Sequence, residues 1–203
     1  MLHLLPLHIN ANSFRKVGNE DLRLFYAIEF DEIVKTELAK AQPILKKRAK
    51  RANFTRKENL HLTLRFMGEI EDANYPVLAK IQAEIASKHD PFLLELSKPG
   101  IFERGNKFIV WWGIRKSEQL YSLQKSLEEE IRLNGFVAEH KIYNPHITLA
   151  RDFSSYDNVK EILSELGSLT STIEVGSISL MESLRIDGRL SYVCRNKIKL
   201  LSH

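Results

Sequence analysis

A four-residue stretch recurs at a distance that constrains how the whole chain can fold. His61-Leu62-Thr63-Leu64 lines up with His146-Ile147-Thr148-Leu149 when the sequence is slid against itself by 85 positions. The same shift brings Phe25 onto Val110, Leu38 onto Leu123 and Leu78 onto Leu163. A period this long exceeds the roughly 20–50 residues of stacked solenoid repeats, so it marks one duplicated unit and not an array.

The unit can be read from its periodicities. Leu24-Phe25-Tyr26-Ala27-Ile28 is an apolar run of strand length, followed by a helical pattern on Ile33, Val34, Leu38 and Ala41 that Pro43 should kink or end. After a basic connection, Leu60, Leu62, Leu64 and Phe66 alternate with polar residues, a period of two that Gly68 should end. A helix with Val77, Leu78, Ile81 and Ile85 on one face and a strand at Phe92–Leu96 complete the first half. The order then recurs: strand 108–114, helix 117–134 stopped by Gly135, a strand at 146–149, a short helix with Val159, Ile162, Leu163 and Leu166, and a strand within 172–181. Each half is thus expected to be a strand-helix-strand-helix-strand lobe. Asp187-Gly188 between strand-like flanks predicts a closing hairpin from Leu180 to Leu200. Residues 1–21 show no sustained period and are expected to be an extension ahead of one bilobal unit, 22–203, built from two intimately packed repeats.

Composition sets the class. With 203 residues, 43% of them hydrophobic and 28% charged, the chain is neither collagen-like nor largely disordered and can bury a core. The lone Cys194 excludes an internal disulfide and a cysteine-rich zinc site, and suits a reducing compartment. Thirty Lys and Arg against 26 Asp and Glu give a formal net charge of +4, which permits an anionic partner without demanding one. No stretch approaches the ~20 apolar residues of a membrane span. The opening Met1 to Ile9 lacks a leading positive charge and is broken by Pro6, unlike a signal peptide. A soluble, cytoplasmic protein that acts as a monomer without membrane contact is expected.

Chemistry belongs to the repeated motif. Residues i and i+2 of a strand share a face, so His61 and Thr63 point one way while Leu62 and Leu64 point into the core, and His146 and Thr148 repeat the arrangement. If the lobes face each other about a pseudo-twofold axis, two imidazoles and two hydroxyls line one cleft. A histidine pair suits phosphodiester chemistry: a neutral imidazole takes a proton from the nucleophile while an imidazolium protonates the leaving oxygen. The threonine hydroxyls can donate to phosphoryl oxygens. This scheme requires neither metal nor cofactor. A single His-x-Thr fits many half-buried strands for packing reasons alone, but packing does not explain a polar His and Thr on the opposite face in both halves. A two-histidine metal site is the rival use, and it lacks an obvious third ligand beside either motif.

Asn59-Leu60-His61-Leu62-Thr63-Leu64-Arg65-Phe66-Met67-Gly68-Glu69 and Pro145-His146-Ile147-Thr148-Leu149-Ala150-Arg151 resemble the two signatures of the two-histidine (2H) phosphoesterase superfamily. The similarity is greatest to its RNA 2′,3′-cyclic phosphodiesterases, historically called 2′-5′ RNA ligases. It extends over about Leu22 to Leu200 and includes Val110-Trp111-Trp112-Gly113 and Gly188 with Tyr192. The resemblance implies an α+β fold, bilobal and duplicated, with antiparallel sheets flanking a central cleft and helices outside. It implies opening of an RNA 2′,3′-cyclic phosphate to a 2′-phosphate, with His61 the acid for the departing 3′ oxygen and His146 the base for water. The reverse direction, joining ends through a 2′-5′ linkage, is also associated with the family. The implied partners are RNA with cyclic phosphate ends or cyclic nucleotides. A small cyclic phosphate such as an ADP-ribose derivative, or non-catalytic RNA binding in the same cleft, are the alternatives.

Other residues bear on the site. Arg151 matches the arginine that follows the family's second motif, where a guanidinium can hold phosphate. Strict alternation would put it on the wrong face, so its role requires a bulge after Leu149. Arg65 shares the His61 face and is the alternative cation. Phe66, equivalent to Arg151 in the repeat, is expected in the core, as are Trp111 and Trp112. The run Lys46-Lys47-Arg48-Ala49-Lys50-Arg51, with Arg56 and Lys57 beyond, could track an RNA backbone or could simply complement a helix dipole.

Overall fold

Five consecutive buried residues, Leu24 to Ile28, demand a strand covered on both faces. In the computed structural model, which describes residues 21–169 and 171–201, they lie in β1 (Leu22–Glu29). There follow α1 (Glu32–Ala39), α2 (Ala41–Arg48), β2 (Arg51–Phe54), β3 (His61–Ile70), α3 (Tyr75–Ala86), β4 (Phe92–Arg104), β5 (Lys107–Ile114) and α4 (Glu118–Leu133). β6 (His146–Ser154), α5 (Val159–Glu165), β7 (Thr172–Val175), β8 (Ser177–Ile186) and β9 (Arg189–Lys199) complete the order. The expected 1–21 extension lies, but for Asp21, outside the described residues. Among those described, no helix is long and apolar enough to cross a membrane.

Local chemistry sets the helix ends. Asp31, Ser117 and Asn158 each accept a backbone N–H from the first turn of α1, α4 and α5. The helix expected through Ala41 divides at Lys40, and Pro43 sits in the first turn of α2. A continuous helix would bring the Pro43 ring against the carbonyl of Ala39, whereas in a first turn its missing N–H has no partner to lose.

The strands form two antiparallel sheets, β3-β1-β8-β9 and β2-β6-β5-β4-β7, giving the α+β bilobal architecture. The hairpin at Asp187-Gly188 forms as expected, with β9 on the edge of the first sheet. One expectation is overturned. The third strand of each half does not stay with its own lobe: β4 joins β5 in the second sheet, and β8, its equivalent in the repeat, joins β1 in the first. The halves therefore exchange strands, and buried residues of both sheets form one continuous apolar cluster from Leu22 to Leu200. Polar links reinforce it: the buried Tyr26 hydroxyl donates to the Leu78 carbonyl at 2.8 Å, and Gln82 donates to Ile178 at 2.7 Å, tying α3 to β1 and β8.

β3 and β6, from different sheets, come close to each other. Each carries two irregularities at equivalent places. Against β1, β3 has an extra residue at Leu64 and another between Phe66 and Gly68. Against β5, β6 has one at Leu149 and another between Ala150 and Phe153, where Asp152 takes a positive φ of 51°. β2, hidden in what reads as a basic connection, pairs with β6 as an edge strand. Trp112 is fully buried, but Trp111 is only partly so and lies across Gly100, where an added Cβ would stand 2.3 Å from the indole ring.

Gly100→Ala must displace a wedged indole and is expected to cost about 1–3 kcal/mol, the range for overpacking. Gly176→Ala, where a Cβ meets nothing within 4 Å, should change stability by less than about 1 kcal/mol. Urea denaturation of both variants checks the pair; equal effects would contradict the close approach of Trp111 to Gly100.

Candidate active site

His61 and His146 open β3 and β6, and each is oriented by its own chain. The His61 Nδ1 lies 2.7 Å from the Asn59 carbonyl, and the His146 Nδ1 lies 2.8 Å from the Asn144 carbonyl. A carbonyl can only accept, so each Nδ1 carries the proton and each neutral ring keeps its lone pair on Nε2. His61 Nε2 stands 3.0 Å from the Thr63 hydroxyl, which donates to it while the ring is neutral. Aromatic rings fix the imidazole planes. Phe25 and Tyr192 flank His61 at 4.9 and 5.0 Å between centroids; Phe102 and Trp111 flank His146 at 4.8 and 6.2 Å. The buried Asn59 donates to the Leu190 carbonyl and accepts the Tyr192 amide, so it seats both the strand that starts at His61 and the ring beside it.

The two motifs meet. Thr55, Asn59, His61, Thr63, His146, Thr148, Arg151 and Tyr192 line one narrow cleft of about 20 Å³, a single water-sized space. Arg151 reaches it because the extra residue at Leu149 makes Leu149 and Ala150 both buried and turns Arg151 outward. The equivalent bulge at Leu64 moves Arg65 off the His61 face. Its guanidinium binds Glu128 at 2.7 Å and the carbonyls of Val137 and Phe66, and it does not line the histidine cleft. Phe66 is not in the core: it is 42% exposed and lines a wider groove. Trp111 likewise serves as a wall of His146. Sequence alternation missed Thr55, which enters the cleft just after β2, and the packing of Phe102 from β4 and Trp111 from β5 against the His146 ring.

The wider groove, about 430 Å³, shares Thr63 and His146 with the cleft and continues along Phe66, Phe102, Lys141 and Tyr143. Tyr143 donates its hydroxyl to the Thr63 carbonyl at 3.1 Å, bridging the two motifs, and burial pushes its phenol well above the usual range. Glu128 also accepts the Glu139 amide, so Arg65 and Glu128 together hold the loop that leads into His146.

Electrostatics favour an incoming anion. Burial lowers His61 to about 4, with the positive charges of Arg151 and His146 acting the same way against the Asn59 carbonyl and Glu29. Burial, then Arg151, also lowers His146, against the Asn144 carbonyl. Both rings are thus neutral in the substrate-free cleft at pH 7, beside the positive charge of a guanidinium.

The chain and its fold resemble known proteins. A family model for the 2′-5′ RNA ligase superfamily matches residues 31–187. The RNA 2′,3′-cyclic phosphodiesterase of Methanothermobacter thermautotrophicus is 29% identical over 79% of this chain and 86% of its own. That of Methanocaldococcus jannaschii is 31% identical over 70% of this chain and 77% of its own. Among solved structures, TT0787 of Thermus thermophilus superposes with a TM-score of 0.75 at 24% identity, over 88% of this chain and 98% of the other. E. coli LigT complexed with 3′-AMP gives 0.72 at 24% identity over 90% and 100%. These last two likenesses concern the fold. With a matched family model across most of its length and relatives of this name at about 30% identity, the chain belongs to the 2′-5′ RNA ligase superfamily.

Proposed function

We propose that this protein hydrolyses RNA 2′,3′-cyclic phosphate ends to 2′-phosphates by metal-independent acid/base catalysis with His61 and His146. The observation that carries the reading is the convergence of both histidines, two threonine hydroxyls and Arg151 on one cleft. The names of the relatives supply the substrate class.

His146 is the base, because its Nε2 lone pair is free of the hydroxyl that occupies His61. It takes a proton from water as the water oxygen bonds to phosphorus. The bond from phosphorus to O3′ breaks, and the proton on His61 Nε2 passes to that oxygen, leaving a 3′-hydroxyl and a 2′-phosphate. Thr63, Thr148 and Arg151 stabilise the charge gathering on the phosphoryl oxygens. The acid requires a protonated His61, which burial opposes in the substrate-free cleft; the anionic phosphate offsets Arg151 and restores that proton. A 5′-hydroxyl in place of water would yield a 2′-5′ linkage by the same transfers. Among the described residues, those lining the cleft include no carboxylate or thiolate, which supports chemistry carried by imidazoles and hydroxyls. A groove of about 430 Å³ is within the size range of small-molecule sites, so a 2′,3′-cyclic mononucleotide should also be turned over.

His61→Ala and His146→Ala should each lower kcat by about 10²–10⁴-fold on a cyclic-phosphate-ended oligonucleotide, and Thr63→Ala and Thr148→Ala by less. A leaving group better than the ribose 3′ oxygen should rescue His61→Ala more than His146→Ala. Equal rescue would refute the division into acid and base.

The pH profile follows from the direction of the shifts. Activity falls as pH rises through the acid's pKa and as pH falls through the base's, and both are depressed in the free cleft. The limbs of kcat/KM, which belong to the pair, should lie below the ordinary histidine value of about 6.5. The limbs of kcat should sit higher, because bound phosphate is anionic. Arg151→Gln should move the kcat/KM limbs upward; no movement would remove Arg151 from the electrostatics of the site. Turnover should also survive exhaustive EDTA treatment. Loss that a divalent cation restores would favour a metal site.

A further inference from the structure

We propose that the C-terminal end of α2 and the edge strand β2 form a track for the RNA strand 5′ of the cyclic end. The inference rests on the RNA reading of the cleft and extends it to the polymer.

β2 runs out of the active site. Thr55 lines the cleft and its amide donates to the Leu149 carbonyl. Going outward along β6, Phe54 pairs with Ala150, Asn53 with Arg151 and Arg51 with Ser154. Arg51 therefore stands about 13 Å from Thr55 at ~3.3 Å per residue. Thr55, Asn53 and Arg51 alternate onto one face, while Ala52 and Phe54 pack against the core. Strand order leaves the other side of β2 unpaired among the described residues.

The cations here divide into two groups. Arg48 binds Asp157 and Glu165, Arg56 binds Glu58, and Lys57 binds Glu32. Lys46, Lys47, Lys50 and Arg51 are all exposed, and no carboxylate among the described residues pairs with them within 4.0 Å. Complementing the helix dipole accounts for charges in the last turn of α2, but Lys50 and Arg51 lie beyond it. Protecting an edge strand calls for charge somewhere on it, not for four cations gathered at the outer end of a strand that leaves the active site. Asp152, an acid beside Asn53 on this face, is already held by Asn53 and Lys107.

An aromatic ring stands beside these cations. Tyr156 is 84% exposed, and Lys50 Nζ lies 4.5 Å from its ring centroid. A ring of that exposure with a lysine at one face offers a base a stacking surface and its phosphate a counter-charge, the combination that holds single strands without reading sequence.

The test compares wild type with the quadruple variant K46A/K47A/K50A/R51A and with Tyr156→Ala. The substrates are a cyclic-phosphate-ended oligoribonucleotide and a 2′,3′-cyclic mononucleotide, and oligonucleotide binding is followed separately by fluorescence anisotropy. For the oligonucleotide, the quadruple variant should raise KM about tenfold or more near 0.1 M salt with kcat retained, and flatten the salt dependence by about 0.7 per lost phosphate contact. Tyr156→Ala should raise the oligonucleotide KM severalfold. The mononucleotide kcat/KM should change by less than about twofold, since none of these residues lines the cleft or the groove. Thermal melting and the single reversal Lys47→Glu guard against a folding defect. Unchanged oligonucleotide binding in a folded quadruple variant overturns the track, whatever the catalytic result. So does a length-dependent loss in Lys141→Ala alone, which would send the strand along the groove. If wild type opens neither substrate yet binds the oligonucleotide through these residues, the hydrolytic reading fails and the track stands.

Discussion

A strand offers alternate side chains to one face only while its ladder is unbroken, and β3 and β6 both break theirs just after the threonine. The site hangs on that interruption. Before it, His61 with Thr63 and His146 with Thr148 face the cleft in simple alternation. After it the phase reverses, so Arg151 turns into the cleft on one side and Phe66 towards the groove on the other. The same device at equivalent places of the repeat thus yields a cation beside one motif and a ring beside the other. The halves have diverged in side chain while keeping the backbone irregularity.

The bulges place the side chains; short-range contacts set their chemical state. A backbone carbonyl two residues upstream holds each imidazole in one tautomer, and aromatic neighbours hold its plane. Burial and Arg151 then favour the neutral rings in a substrate-free cleft. Under the proposed mechanism, a cleft that disfavours its own protonation until an anion arrives would couple substrate binding to the supply of the acid's proton. The geometry asks for no moving part to achieve this, only the change in local charge on binding.

Strand exchange keeps the two motifs in register. Because β4 crosses to the second sheet and β8 to the first, separating the two halves of the sequence would break strand pairing in both sheets and open the shared core. The Tyr143 bond to the Thr63 carbonyl and the Arg65–Glu128 pair add polar ties across the same gap. In the proposed reaction two groups act on opposite sides of one phosphorus, where small misplacement is costly, and such a frame suits that demand.

Much of this was legible in the residues alone. The offset of 85 between His61-Leu62-Thr63-Leu64 and His146-Ile147-Thr148-Leu149 determined the duplication and the strands that bear the histidines and threonines, and Asp187-Gly188 the final hairpin, because period and turn chemistry are local properties. The requirement that Arg151 needs a bulge was also readable, since parity alone excludes it otherwise. Tertiary structure decided the rest. Which sheet receives β4 and β8 depends on pairing between distant segments, which no local pattern encodes. Arg65 was lost to Glu128 on another element, while Phe66 left the core for the groove wall and Trp111 for a place beside the His146 ring. β2 was hidden because a four-residue edge strand with basic side chains has neither the length nor the apolar alternation that marks a strand, and takes its form from the hydrogen bonds of β6.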